Sequence, residues 1–178
     1  DSQKKELEGI ILFQLFFYFS IMQQKNVFTV DEIKKKLEYY CVYQDRCHKE
    51  VEKKIREYKL IPEAREKILL HLMRHNFLNE ERFSKSFARG KFRIKNYGKL
   101  RIIRELKYRN ISKYNIEIAL NEINEEEYQG IAIKLIEKKA ASIDEENPIK
   151  ERKKIIEYML RKGYELDLIQ EIIHKRLT

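Results

Sequence analysis

Apolar positions recur along this chain with a helical period that is broken by one repeated punctuation. Phe28-Thr29-Val30-Asp31-Glu32-Ile33, Leu78-Asn79-Glu80-Glu81-Arg82-Phe83 and Ile123-Asn124-Glu125-Glu126-Glu127-Tyr128 share an order: apolar, capping residue, any, acid, any, apolar. Each predicts a helix start. Thr29, Asn79 and Asn124 stand as N-caps, with acids at the positive end of the helix dipole. The pairs Phe28/Ile33, Leu78/Phe83 and Ile123/Tyr128 occupy the positions that a hydrophobic staple joins. Starts at 29, 79 and 124 are 50 and 45 residues apart, a period typical of helical arrays.

Inside each unit a second marker recurs, a helix end followed by an apolar residue and a new start. It reads Lys54-Ile55…Leu60-Ile61-Pro62, then Glu105-Leu106…Ile111-Ser112, then Tyr158-Met159…Tyr164-Glu165. Ser112 is a good cap, Pro62 suits a first turn, and Gly163 suits a stop. Helices are therefore expected near 30–44, 48–58 and 63–76, near 80–89, 98–109 and 113–122, and near 125–140, 148–162 and 166–176. Asn147-Pro148 opens the eighth after a loop, Ser142 to Asn147, that is the expected internal hinge. The fold expected is all-α: three tandem three-helix repeats, about nine short helices, in an elongated array. Its divisions are an N-terminal extension over 1–28 and repeats over 29–77, 78–123 and 124–178.

Composition agrees with helices. Five Gly, two Pro and no Trp among 178 residues argue against a sandwich, a barrel or a disordered chain. The two cysteines, Cys41 and Cys47, lie six positions apart; taken on one helix they point to different faces and cannot pair. They fit small buried thiols in a reducing, cytoplasmic setting. Gly9 to Met22 is strongly apolar, yet shorter than the roughly 20 residues that span a bilayer, and no small-x-small cleavage site follows it. It is expected to be a helical extension, or upstream sequence ahead of a start at Met22, and no membrane role is assigned.

Charge changes the picture most. Arg89 to Arg109, RGKFRIKNYGKLRIIRELKYR, holds nine basic residues against Glu105 alone, a net +8 from a chain whose total is +9. Phe92, Tyr97 and Tyr108 are interleaved with the cations. A charge run is usually a solvated face, but there the signs alternate, and here they hardly do. The pattern points to a polyanion or an acidic protein surface. With Gly90 as a helix stop, Lys91 to Tyr97 is expected as an extended connector. It would turn Lys91, Arg93 and Lys95 one way and Phe92 and Ile94 the other. On the helix that follows, Leu100, Ile102, Ile103 and Leu106 face the core, while Arg101, Arg104 and Tyr108 form an exposed stripe. The candidate partner-binding residues are Arg89, Lys91, Arg93, Lys95, Tyr97, Arg101, Arg104 and Tyr108. Lys99, Lys107 and Arg109 are expected as flanking solvated charges.

No phosphate-cradling Gly-rich loop, GxSxG elbow, HExxH or CxxC occurs. His71 and His75 share the i, i+4 spacing of a metal pair but sit beside Ile68 and Leu72, with no further ligand suitably spaced, and are expected to be structural. The acid runs belong to helix starts, so no catalytic pair, metal or cofactor is expected and the chain is read as a non-enzyme.

Three segments carry a resemblance. YCVYQDRCHKEVEKKI (40–55), FLNEERFSKSFARGKFRIKNYGKLRIIRELKYRNIS (77–112) and LRKGYELDLI (160–169) resemble the RecX regulatory proteins, modulators of the RecA recombinase. The likeness runs from about Thr29 to Leu177, and the 77–112 block is its most specific part. It implies three tandem three-helix repeats, matching the count reached from the punctuation. It further implies binding in the groove of a RecA filament on DNA, limiting filament growth, ATP hydrolysis and strand exchange. The expected partners are thus the RecA filament, with single- or double-stranded DNA at the basic segment, for a monomer free of membranes. The alternative is a free-standing, helix-turn-helix-like nucleic-acid binder with Arg101 and Arg104 at the phosphates.

Overall fold

A computed structural model describes residues 28–177. Nine helices form among the described residues, and no strand: α1 (Val30–Tyr43), α2 (His48–Arg56), α3 (Pro62–Arg74), α4 (Glu80–Lys95), α5 (Lys99–Tyr108), α6 (Lys113–Leu120), α7 (Glu125–Ala140), α8 (Pro148–Lys162) and α9 (Leu166–Leu177). Compact units divide at Lys36/Leu37, inside α1. In the first unit, Glu32 N–H donates to Thr29 Oγ1 at 3.2 Å and Thr29 N–H donates to Glu32 Oε2 at 2.8 Å. That is a capping box. The apolar stretch Gly9–Met22 and the rest of the proposed extension, Phe28 excepted, lie outside the described residues. All that follows concerns the unit from Leu37 on.

The predicted caps form. Asn79 Oδ1 accepts from Arg82 N–H at 2.9 Å, Ser112 Oγ from Asn115 N–H at 3.3 Å, and Asn124 Oδ1 from Glu127 N–H at 2.9 Å. Asn147 Oδ1 accepts from Ile149 and Lys150 at 2.9 and 3.3 Å, with Pro148 in the first turn. The second marker is also physical. Asn110 (φ 60°) and Gly163 (φ 92°) are left-handed, and the residue after each, Ile111 or Tyr164, donates its N–H back to Leu106 or Met159 at 3.2 Å. All four apolar partners are buried, so α5 and α8 end by one device.

Three expectations need correction. Gly90 does not stop α4, which runs to Lys95 and ends at left-handed Asn96 (φ 52°, ψ 46°). A mid-helix glycine costs about 1 kcal/mol of propensity, and the burial of Ala88 and Phe92 on either side of it outweighs that. The extended connector therefore does not exist; Phe92 is buried and Ile94 is 76% exposed, so they do not share a side. Leu100 is not core but about half exposed, because the buried stripe of α5 is Ile102 and Leu106. Finally, Cys41 and Cys47 are buried free thiols, but on different elements, since Cys47 is the N-cap of α2. Burial pushes the Cys41 thiol up to about 11 and raises that of Cys47.

One apolar core runs through the second and third repeats. Phe92, Ile102 and Leu106 pack in it with Tyr128, Ile136, Ile155, Met159 and Tyr164, all at most 1% exposed. At its centre Tyr128 stacks on Tyr164 with ring centres 5.0 Å apart, and Phe92 tilts against Tyr128 at 5.9 Å.

Candidate functional site

The basic segment lies on two helices joined by Asn96, Tyr97 and Gly98, and the junction fixes where its cations go. Three successive N–H groups at the start of α5 are held by the third repeat. Gly98 N–H donates to Lys162 C=O at 2.9 Å and Leu100 N–H to Gly163 C=O at 3.0 Å. Between them Lys99 N–H donates to Tyr128 Oη at 3.0 Å, whose own O–H donates to Glu165 at 2.7 Å. The positive end of α5 thus caps the negative end of α8. Burial, reinforced by the bond to Glu165, pushes the Tyr128 phenol well above its usual range. The approach requires glycine on both sides. A Cβ on Gly98 would stand 2.2 Å from Gly163 C and O, and one on Gly163 would stand 2.3 Å from Arg101 Cβ.

This frame sorts the eight candidates. Arg89 and Arg93, one turn apart on α4, pair with Glu122 at 2.7 Å and Glu127 at 3.5 Å, so Arg89 is tied to the end of the second repeat and Arg93 to the start of the third. Arg101 lies over the Tyr97 ring at 3.8 Å, donates to Arg161 C=O at 3.2 Å and approaches Glu105 at 3.7 Å. Its role is largely to seat the junction. Tyr108 is 72% exposed but lies apart from Arg101: Lys49 sits 4.0 Å over its ring and donates to its C=O at 2.6 Å. Lys91 lies over Phe87 at 5.2 Å and Tyr97 at 5.8 Å. Lys95 and Arg104 are exposed, and among the described residues their side chains have no partner. Two of the supposed flanking charges are structural. Lys99 pairs with Glu125 at 2.6 Å, and Arg109 approaches Glu50 and Glu105 at 3.6 and 3.5 Å.

The third repeat adds cations that the sequence reading omitted. Lys162 Nζ donates to Lys95 C=O at 3.2 Å and lies 5.9 Å from the Tyr158 ring, which Lys139 also faces at 5.8 Å. Burial, then the positive charges of Arg101 and Lys138, hold the Lys162 ammonium below the usual lysine range. The signal was visible as two basic doublets, Lys138-Lys139 and Arg161-Lys162. Both lie in last turns, where the helix dipole alone explains them. Arg101, Lys138 and Lys162 bring positive charge together across the second and third repeats. Lys95, whose C=O accepts from Lys162, and Arg104, one turn from Arg101 on α5, flank them to complete a cationic surface.

Of the two histidines, His71 holds structure. His71 Nε2 lies 2.6 Å from Glu38 Oε1 and its ring stacks on Phe77 at 6.3 Å, while His75 is exposed rather than on an apolar side. Among the described residues no group of three or more His, Cys, Asp or Glu side chains is placed to hold a metal ion. Nor, among them, is any helix long and apolar enough to cross a membrane.

Two family models match this geometry: RecX, second three-helix domain, over residues 79–120, and RecX, third three-helix domain, over residues 125–173. The chain belongs to the RecX family. Regulatory protein RecX of Bacillus cytotoxicus is 25% identical over 131 residues, 74% of this chain and 48% of that protein. The Enterococcus faecalis protein of the same name is 29% identical over 125 residues, 65% of this chain and 47% of its own length. The chain thus spans about half the length of the curated relatives it matches. The crystal structure of RecX from Lactobacillus salivarius superposes with a TM-score of 0.73 at 24% identity, covering 82% of this chain and 95% of that one. A second crystal structure of regulatory protein RecX gives 0.71 at 21% identity, covering 81% and 74%. These two likenesses establish the fold, and the relatives' names support a RecX regulatory role.

Proposed function

We propose that this chain binds the RecA recombinase filament on DNA and restrains it, limiting ATP hydrolysis, strand exchange and filament growth. Membership of the RecX family supports the partner. The cationic surface across the second and third repeats supports the mode, because its cations outnumber the carboxylate beside them, Glu105 at 3.7 Å from Arg101, and like charges held together are relieved by a bound polyanion or acidic surface. Lys95, Arg104 and Lys138 are its exposed cations without an ion pair among the described residues. The three are the ones to reverse. The triple variant Lys95→Glu, Arg104→Glu, Lys138→Glu should melt like the parent and need about tenfold more protein for equal inhibition of RecA-driven ATP hydrolysis on single-stranded DNA. Undiminished inhibition by the folded triple variant would remove this surface from the function.

A free-standing helix-turn-helix binder is the weaker reading. Such a module presents the N-terminal residues of its second helix to base edges, whereas the start of α5 is closed off by Lys162, Gly163 and Tyr128. Inhibition of RecA at concentrations far below those that bind naked DNA supports the regulator; coincident concentrations support the binder.

A further inference from the structure

A second stripe on α4 starts at the edge of the core, against which Phe87 packs, and runs out to solvent at Ile94. Phe87, Gly90 and Ile94 recur at helical spacing along a groove of about 220 Å³ between α4 and the turn that holds Asp45, with Lys91 and Lys95 also lining it. Ile94 is 76% exposed although it is a large aliphatic side chain. Gly90 is the more telling residue. A Cβ built on it would meet nothing within 4 Å, so no packing inside this molecule requires glycine in the middle of a 16-residue helix. What glycine provides there is bare helical backbone that a partner can approach closely.

The charges are matched to an acidic partner. On the side of α4 facing the junction of the second and third repeats, Arg89 and Arg93 have Glu122 and Glu127. On the groove side, neither Lys91 nor Lys95 has a carboxylate partner among the described residues, and the one acid in the groove, Asp45, is held by Arg82 at 2.8 Å. We infer that this groove docks a protein segment carrying one bulky apolar side chain beside carboxylates. The apolar group lies over Gly90 between Phe87 and Ile94, and the carboxylates meet Lys91 and Lys95. A phosphodiester strand would also meet the lysines, but it would leave Ile94 and the open backbone of Gly90 unused. That the recombinase supplies the segment rests on the function proposed above.

The test places the photo-crosslinking residue p-benzoylphenylalanine at Ile94 of the full chain and irradiates it on RecA filaments assembled on single-stranded DNA. The expected crosslink is to a recombinase peptide with Asp or Glu next to an apolar residue. Ile94→Asp should weaken filament binding about tenfold, with melting temperature and naked-DNA affinity unchanged. Gly90→Ala should raise the melting temperature, because open space receives the methyl group, and still weaken filament binding. Parent-like filament binding by both variants overturns the groove assignment, as does a crosslink that maps to DNA. Failure of the parent chain to bind filaments at all would instead overturn the recombinase reading, and the docking segment with it.

Discussion

Where the second repeat meets the third, backbone meets backbone: the first N–H groups of α5 donate into the end of α8, and Tyr128 fills the gap between them. Where the first repeat meets the second, long side chains make the connection. Arg82 reaches Asp45 at 2.8 Å, Arg109 approaches Glu50 at 3.6 Å, and Lys49 reaches the Tyr108 C=O at 2.6 Å. The first joint has no slack, since two pairs of peptide groups lie at hydrogen-bond distance and a buried Tyr128 hydroxyl holds the N–H between them. Apart from Cys47, which is buried in the core with residues of the second repeat, the second is made of partly exposed ions on flexible stems, each worth little by itself. A partner pushing on the chain will therefore move the second and third repeats together. The cationic surface, which draws on both, keeps its spacing.

Gly98→Ala tests the backbone joint most severely. The new methyl group would sit 2.2 Å from Gly163 C and O, and backbone cannot yield as a side-chain tip can. The expected cost is about 3 kcal/mol, from overpacking that separates α5 from α8, read from urea denaturation of the full chain. A loss below about 1 kcal/mol would mean that the two helix ends shift apart freely, and the contrast between the joints would fail.

Tyr128→Phe tests the same joint without adding bulk. It removes the oxygen that accepts from Lys99 N–H and the proton given to Glu165, leaving both partners part-buried at a cost of about 2 kcal/mol. Tyr164 is the control. Its ring stacks on that of Tyr128 at 5.0 Å, yet its buried hydroxyl has no hydrogen-bond partner among the described residues. Tyr164→Phe keeps the ring and should therefore cost nothing, and equal losses at both tyrosines would show that the bonds of the Tyr128 hydroxyl are not what holds the joint.

How much of this was legible in the sequence depends on the range of the interaction. Helix starts are local: Asn79, Ser112, Asn124 and Asn147 each bond an N–H two or three residues on, so spacing alone reveals them. Helix ends read less well. Gly90 has the composition of a stop, but whether α4 continues is decided by the packing of Ala88 and Phe92 against residues far along the chain. The site was legible as charge and illegible as partnership. Arg89 and Arg93 find Glu122 and Glu127 more than thirty residues away, and Lys162 joins the cationic surface from a different repeat. Nothing in the local pattern separates a paired arginine from a free one. Gly98 and Gly163 were the same kind of case, read as no more than the first residue of a helix and a helix stop because their close approach spans 65 residues of chain.

The smallest expected effect falls on the side-chain joint. Arg82 looks like its strongest member: besides Asp45, its Nη1 donates to Asn76 C=O at 2.9 Å and its Nη2 to Phe77 C=O at 3.1 Å. A planar fork that satisfies three acceptors is better organised than a lysine pair would be. Its side chain is nevertheless 40% exposed and that of Asp45 27%, so water competes for every one of those bonds and salt screens the ion pair. Arg82→Ala should cost about 1 kcal/mol, less in high salt, and Asp45→Asn less still, because the two carbonyl bonds remain. The ratio between this loss and that of Gly98→Ala measures how unequal the joints are. If Arg82→Ala costs as much as Gly98→Ala and the loss does not fall with salt, the first repeat is joined as firmly as the third, by other groups than these ions.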